Sequence, residues 1–150
     1  MPIRIRIATF NLMNLDDRSD RFPSLEERIP ILRPQLVRLD ADILCLQEIC
    51  GQRARGRKVR LDAMNQLLKC TPYEGYKRVI TIDPDTNEPF DHHNLVILSR
   101  YEILNHDQYL HEYAPAPRYK KVTALPEEAE AREISWERPI LIARVKLPNN

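Results

Sequence analysis

Within the first fifty residues a strand pattern, a helix pattern and a second strand pattern follow one another with short joins, an order that few folds accommodate. Ile3, Ile5 and Ile7 alternate with Arg4 and Arg6, the period of a strand with one covered face. The pattern runs through Ala8, Thr9 and Phe10 and closes at Asn11. Ser24 followed three residues later by Glu27 is the signature of a capped helix start. Leu25, Ile29, Leu32, Leu36 and Leu39 then fall three or four apart and form one apolar helix face. Pro30 and Pro34 interrupt it and predict a kink or a break. "ADILCLQE" stays apolar until Gln47 and reads as a central strand buried on both faces. Strand, helix and strand in this order predict a right-handed crossover joining two parallel strands. The polar residues that close those strands, Asn11 and Glu48, then reach one edge of the sheet, where open α/β sheets place ligands.

Further along, "VRLDAMNQLLKC" has the period of a second helix, with Met64, Leu67 and Leu68 on its packed face. "YKRVITI" and "NLVILS" read as strands joined by the turn-rich loop "DPDTNEPFDHH", and "EILNHDQYL" as another strand. Residues 114–133 carry prolines and then "EEAEARE", a surface loop or short helix. "RPILIARVKL" is a last strand, followed only by the turn residues "PNN". That leaves it without a returning neighbour, the pattern of an edge strand open to a second chain or of one part of a longer fold.

Bulk properties narrow the function classes. A chain of 150 residues fits one domain or a portion of one, and 43% hydrophobic residues suffice for a core. The net charge of +1 creates no global field toward nucleic acid or membrane, so any attraction for phosphate must be local. Twelve prolines against three glycines predict stiff connections. Cys45, Cys50 and Cys70 form an odd set without metal-knuckle spacing, and Cys45 lies in an apolar run that predicts a buried thiol. Disulfides are not expected, which favours a reducing compartment. The first strand leaves no room for a signal peptide, and no apolar run approaches the ~20 residues of a membrane helix. The expectation is a soluble, cytoplasmic protein.

A carboxylate such as Glu48 at a buried strand end needs a partner, because a lone buried charge is costly. A hard divalent cation such as Mg²⁺ suits it, since Mg²⁺ prefers carboxylate oxygen and keeps several waters. An amide such as Asn11 can orient a phosphate oxygen or a metal-bound water without adding negative charge. The structural alternative is that Glu48 caps a turn and Asn11 bonds the backbone. After Glu48, "RARGRKVR" places Arg53, Arg55, Arg57, Lys58 and Arg60 on the loop leaving this edge. Such a run is either a solvated loop or a contact for a polyanionic substrate. His92, His93, His106 and His111 read as surface residues, and the scattered tyrosines as packing. "PEEAEARE" reads as a solvated acidic face that lies away from any polyanion.

"IRIATFNLMNL", "LDADILCLQEI", "NLVILSRYEI" and "WERPILIARV" resemble, in order and separation, segments of the endonuclease/exonuclease/phosphatase superfamily. The superfamily includes deoxyribonuclease I-like and exonuclease III-like phosphodiesterases and related lipid phosphatases. The resemblance spans nearly the whole chain, with "FN" and "LQE" as its most specific signals. It implies an α/β fold, a four-layer αββα sandwich, with residues 1–150 as the N-terminal portion of one such domain. It also implies a metal-dependent hydrolase of phosphodiester bonds, with nucleic acid as the leading substrate. Glu48 matches the principal metal ligand and Asn11 the asparagine beside phosphate and metal, so the resemblance implies both as catalytic and metal-site residues, and Arg138 matches an arginine that approaches the substrate backbone in some members. Arg53, Arg55 and Arg57 join it as expected substrate contacts. Mg²⁺ is the implied cofactor, with Mn²⁺ or Ca²⁺ as substitutes.

Two departures shape this expectation. Met13 stands where exonuclease III-like members often carry an acid, which leans the reading toward the deoxyribonuclease I-like branch. The family's histidine after the next strand, its aspartate-asparagine pair and its late aspartate-histidine pair have no match here. Three alternatives accompany the nuclease reading. They are a phosphomonoesterase, a lipid phosphodiesterase of the same superfamily, and an inactive fragment or module that binds nucleic acid.

Overall fold

The chain is seen in a computed structural model that describes residues 4–20, 22–53, 58–128, 130–136 and 138–148. It divides into two compact units, Met1–Asp107 with Leu141–Asn150, and Gln108–Ile140.

The first unit is a mixed α/β fold. β1 (Ile7–Leu15), α1 (Leu25–Leu39) and β2 (Ile43–Ile49) form the expected crossover, and β1 pairs with β2 in parallel. α2 (Asp62–Leu68) and a 3₁₀ turn at Pro72–Gly75 lead to β3 (Lys77–Ile80) and β4 (Asn94–Ser99). β4 runs antiparallel to both β2 and β3, giving a sheet of order β1-β2-β4-β3. β5 (Ile103–Tyr109) and β8 (Ile140–Val145) pair as a second, two-stranded sheet. The final strand therefore has a neighbour.

Burial of apolar side chains explains why the helices lie where they do. Leu25 and Leu36 of α1 and Ala63, Met64, Leu67 and Leu68 of α2 join Leu12, Leu44, Leu46, Val96 and Leu98 in one buried cluster. The Ser24–Glu27 capping box forms in full. Arg33 reaches across to donate to the carbonyls of Gln66 and Leu67 at the end of α2. Tyr73 is buried, and its hydroxyl accepts from Ala41 N and donates to Leu36 O, each at 3.0 Å.

Four local expectations are corrected. Ile3 lies outside the described residues; among those described, Ile5 is half-buried between exposed Arg4 and Arg6 as expected, but β1 begins only at Ile7 and there the alternation changes phase. Ile7 is 67% exposed, whereas Leu12 is fully buried. β1 does not stop at Asn11 but continues to Leu15. β2 is covered on one face only: Leu44 and Leu46 are buried, while Ile43, Cys45 and Gln47 are half-buried. α1 is continuous through Pro30 and Pro34. Both prolines lie on its exposed side, where the carbonyls that lose their N–H partners are not shut away from solvent.

In the second unit β6 (Arg118–Tyr119) and β7 (Arg132–Glu133) form a short antiparallel pair within the segment expected to be a loop or helix. Trp136 Nε1 donates to Ala114 O, and the Tyr109 and Tyr113 rings pack 4.8 Å apart.

Candidate functional site

The crossover brings Asn11 opposite Gln47, the residue before Glu48, at the last pair before the β1–β2 ladder is broken. The ladder is distorted there. Leu15 lies four residues past Asn11, but its partner Ile49 lies only two past Gln47. On the other side of β2, three steps from Leu46 to Ile49 match two from Val96 to Asn94. β1 thus carries two extra residues and β2 one, which are bulges that redirect side chains.

The backbone shows where the extra residues go. Met13 (φ 51°), Asn14 (φ 53°) and Glu48 (φ 58°) are all left-handed, and His93 (φ 59°) precedes the facing end of β4. Such conformations cost about 1–3 kcal/mol each in a non-glycine residue and persist only where surrounding contacts impose them. Those contacts are present. Arg28 of α1 donates to the carbonyls of Leu12, Met13 and Asn14. Buried Asn94 donates to Ile49 O at 3.0 Å and closes the loop before β4 through Phe90. Cys50 N donates to Leu15 O and Gly51 N to Asp91 O, both at 2.9 Å. Gly51 has to be a glycine, because an added Cβ would lie 2.6 Å from Phe90 O and 2.4 Å from Val59 Cγ1.

The turn at Met13 also fixes Asn11. Met13 N donates to Asn11 Oδ1 at 2.8 Å, which identifies the amide oxygen and leaves Nδ2 turned away from that bond. Asn11 is exposed and Glu48 half-buried. The two strands thus carry an exposed amide and a half-buried carboxylate one register position apart. Gln47, between them, is held by its own bond to Thr9 Oγ1 at 2.8 Å.

Among the described residues no group of three or more His, Cys, Asp or Glu side chains is arranged to hold a metal ion. The donor chemistry at Glu48 fits the other way in which Mg²⁺ is held, by one or two carboxylates with waters and substrate phosphate completing the shell. In that mode Glu48 would hold the ion, while Asn11 serves better as a donor to phosphate oxygen or metal-bound water than as a ligand.

The remaining expected site residues are distributed differently. Arg53 pairs with Glu88 at 3.3 Å and Asp91 at 3.7 Å, so carboxylates already answer its charge. Arg55 and Arg57 lie outside the described residues. Arg60 pairs with Asp62 at 3.2 Å. Arg138 belongs to the second unit, beside Ile134, Ser135 and Trp136.

Where the loops leave β1 and β2, a cavity of about 540 Å³ is lined by Asp16, Asp17, Gln52, Asp62 and His92 among others. Asp16 is buried and its carboxylate accepts from Asp17 N at 2.8 Å. Asp17 is exposed, but partial desolvation by the surrounding loops, and then the neighbouring Asp16 charge, raise its carboxyl above the ordinary value. Four aspartates, Asp16, Asp17, Asp62 and Asp91, share this lining with Arg18 and Arg53.

The three cysteines are free thiols. Cys50 is the buried one, while Cys45 is half-buried on the open face of the sheet and its thiol is pushed up by desolvation. Sequence reasoning passed over Arg28 and Asn94. A signal existed for each: Arg28 falls within the apolar stripe of α1, and Asn94 opens an apolar strand run.

No protein-family model matches this chain, and neither does any curated protein or solved structure. Among the described residues no helix is long and apolar enough to cross a membrane.

Proposed function

We propose that this chain carries one side of the active site of a Mg²⁺-dependent phosphodiester hydrolase of the endonuclease/exonuclease/phosphatase type, with nucleic acid as its substrate. The observation that carries the reading is the pair of adjoining bulges that follow the Asn11–Gln47 pair and leave Asn11 and Glu48 on neighbouring parallel strands beside left-handed backbone. A bulged, left-handed carboxylate beside an amide donor suits a phosphate held jointly by a cation and a hydrogen bond. Mg²⁺, when bound, would stabilise charge developing on the phosphoryl group. Glu48 would hold it, and Asn11 Nδ2 would donate to a non-bridging phosphate oxygen and fix the angle at which the ester is presented.

In this reading the fold is part of a four-layer αββα sandwich. The helices and the four-stranded sheet would be two of its layers, and the β5–β8 pair part of a third. The general base and acid have no counterpart among these 150 residues, so turnover requires the other side of the site.

The test combines binding and cleavage. Mn²⁺, used as a paramagnetic substitute in a nitrogen-15 spectrum, should broaden the signals of Glu48 and Asn11 first, and Glu48→Ala should abolish this. Nicking of supercoiled plasmid, where observed, should require Mg²⁺ and disappear with EDTA or Glu48→Ala. Broadening centred elsewhere, or nicking that survives both treatments, would overturn the reading.

A further inference from the structure

We propose that Arg28 is a positioning residue for this site: from α1 it holds the bulge of β1 and thereby aims the Asn11 carboxamide. Its Nη2 donates to Leu12 O and to Met13 O (3.2 Å), and its Nη1 to Asn14 O at 3.2 Å. In a regular strand successive carbonyls point in opposite directions, so three in a row cannot face one group. Here they do, because Met13 and Asn14 are both left-handed. The planar guanidinium, with five donors in a fixed fork, is the side chain suited to collect them; a lysine ammonium is not.

The same turn brings Met13 N back to Asn11 Oδ1 at 2.8 Å. The chain of dependence is therefore continuous. Arg28 fixes three carbonyls, the carbonyls fix the left-handed residues, Met13 N–H fixes the amide oxygen, and Nδ2 is left facing outward. Arg28 is half-buried in the apolar stripe of α1, so helix packing limits its swing. The capping box at Ser24 anchors the same turn of helix from its other end. Only the functional consequence rests on the phosphate reading above; the positioning itself does not.

The experiment uses the full chain, labelled with nitrogen-15, as wild type, Arg28→Lys and Arg28→Met. Exchange of the Met13 amide should accelerate at least about tenfold in Arg28→Met and less in Arg28→Lys, as expected for loss of charge-assisted bonds. The amides of Leu44 and Leu46 should keep their wild-type rates. Dimethyl phosphate with Mg²⁺ should shift the Asn11 Nδ2 signals in wild type and fail to do so in Arg28→Met. Unchanged Met13 exchange in both folded variants would overturn the proposal. So would a uniform acceleration that includes Leu44 and Leu46, or loss of folding in both variants, since Arg28 would then serve general stability. Release of Met13 with no wild-type response to dimethyl phosphate would uphold Arg28 as positioning residue and remove the phosphate reading instead.

Discussion

Gly51 sits where the loop after β2 passes between Val59 and the Phe90 carbonyl, at separations that leave no room for a methyl group. Gly51→Ala must displace either a backbone carbonyl or a packed valine. The expected loss is about 1–3 kcal/mol, the usual cost of overpacking, read as a lower urea midpoint with an unchanged slope. Asp17 is the second residue with a consequence of its own. Its carboxyl is raised above the ordinary 3.8 by partial desolvation first and by Asp16 second, so the folded chain holds this proton more tightly than the unfolded chain. The associated stability is intact below the ordinary value and is lost as pH rises through the raised one. Asp17→Asn keeps the position neutral at every pH. It should raise the melting temperature at about pH 7, and the gain should vanish near pH 3. A gain of equal size at both pH values would refute the linkage.

At the level of elements, α1 is the one whose local sequence and final form conflict most. Two internal prolines each remove a donor and crowd the preceding turn, yet the helix runs unbroken for 15 residues. Its start is fixed by the capping box, and its apolar side by Leu25 and Leu36 in the core. At its far end, Arg6 donates to the carbonyls of Leu39 and Asp40 and pairs with Asp40 at 2.7 Å. Tertiary contacts therefore hold a helix that its propensity opposes. Pro34 is exposed, so replacing it touches little else. Proline costs about 3 kcal/mol in a helix interior, and the more flexible unfolded chain returns about 1 kcal/mol of that difference. Pro34→Ala should therefore stabilise the protein by about 1–2 kcal/mol in urea titration, and a destabilised variant would show that the proline has a packing role.

For the molecule as a whole, the division into two units makes its own prediction. The core cluster lies entirely in the first unit, and the β5–β8 ladder is closed by a bond from Lys146 N to Glu102 O within that unit. Replacing residues 110–138 with a short Gly-Ser connection should leave the first unit folded. Because loop-closure entropy changes slowly with length, the melting midpoint should shift by only a few degrees. Chemical shifts of Leu44, Leu46 and Val96 amides should superpose on those of the full chain. A collapsed or unfolded spectrum would show that the first unit depends on residues 110–138.

The sequence alone was enough for whatever depends on neighbours along the chain. The Ser24–Glu27 cap, the packed face of α2 at Met64, Leu67 and Leu68, and the parallel pairing of the first two strands were all legible. Periodicity and capping are short-range effects, and a helix between two strands is the usual link of a parallel pair. Other features came only from the tertiary structure. The isoleucine alternation gave a period but not its phase, which was set by which face the helices covered, so Ile7 is exposed and Leu12 buried. The expected basic path after Glu48 depended on what Arg53 meets in space, and it meets Glu88 and Asp91, more than thirty residues away. The left-handed Met13 and Glu48 carry no local mark, since such residues adopt that conformation only when distant groups impose it, whereas Asn14 is of a type that visits it readily. Here those groups are Arg28 on α1 and Asn94 on β4, which meet the bulges only once the chain has folded.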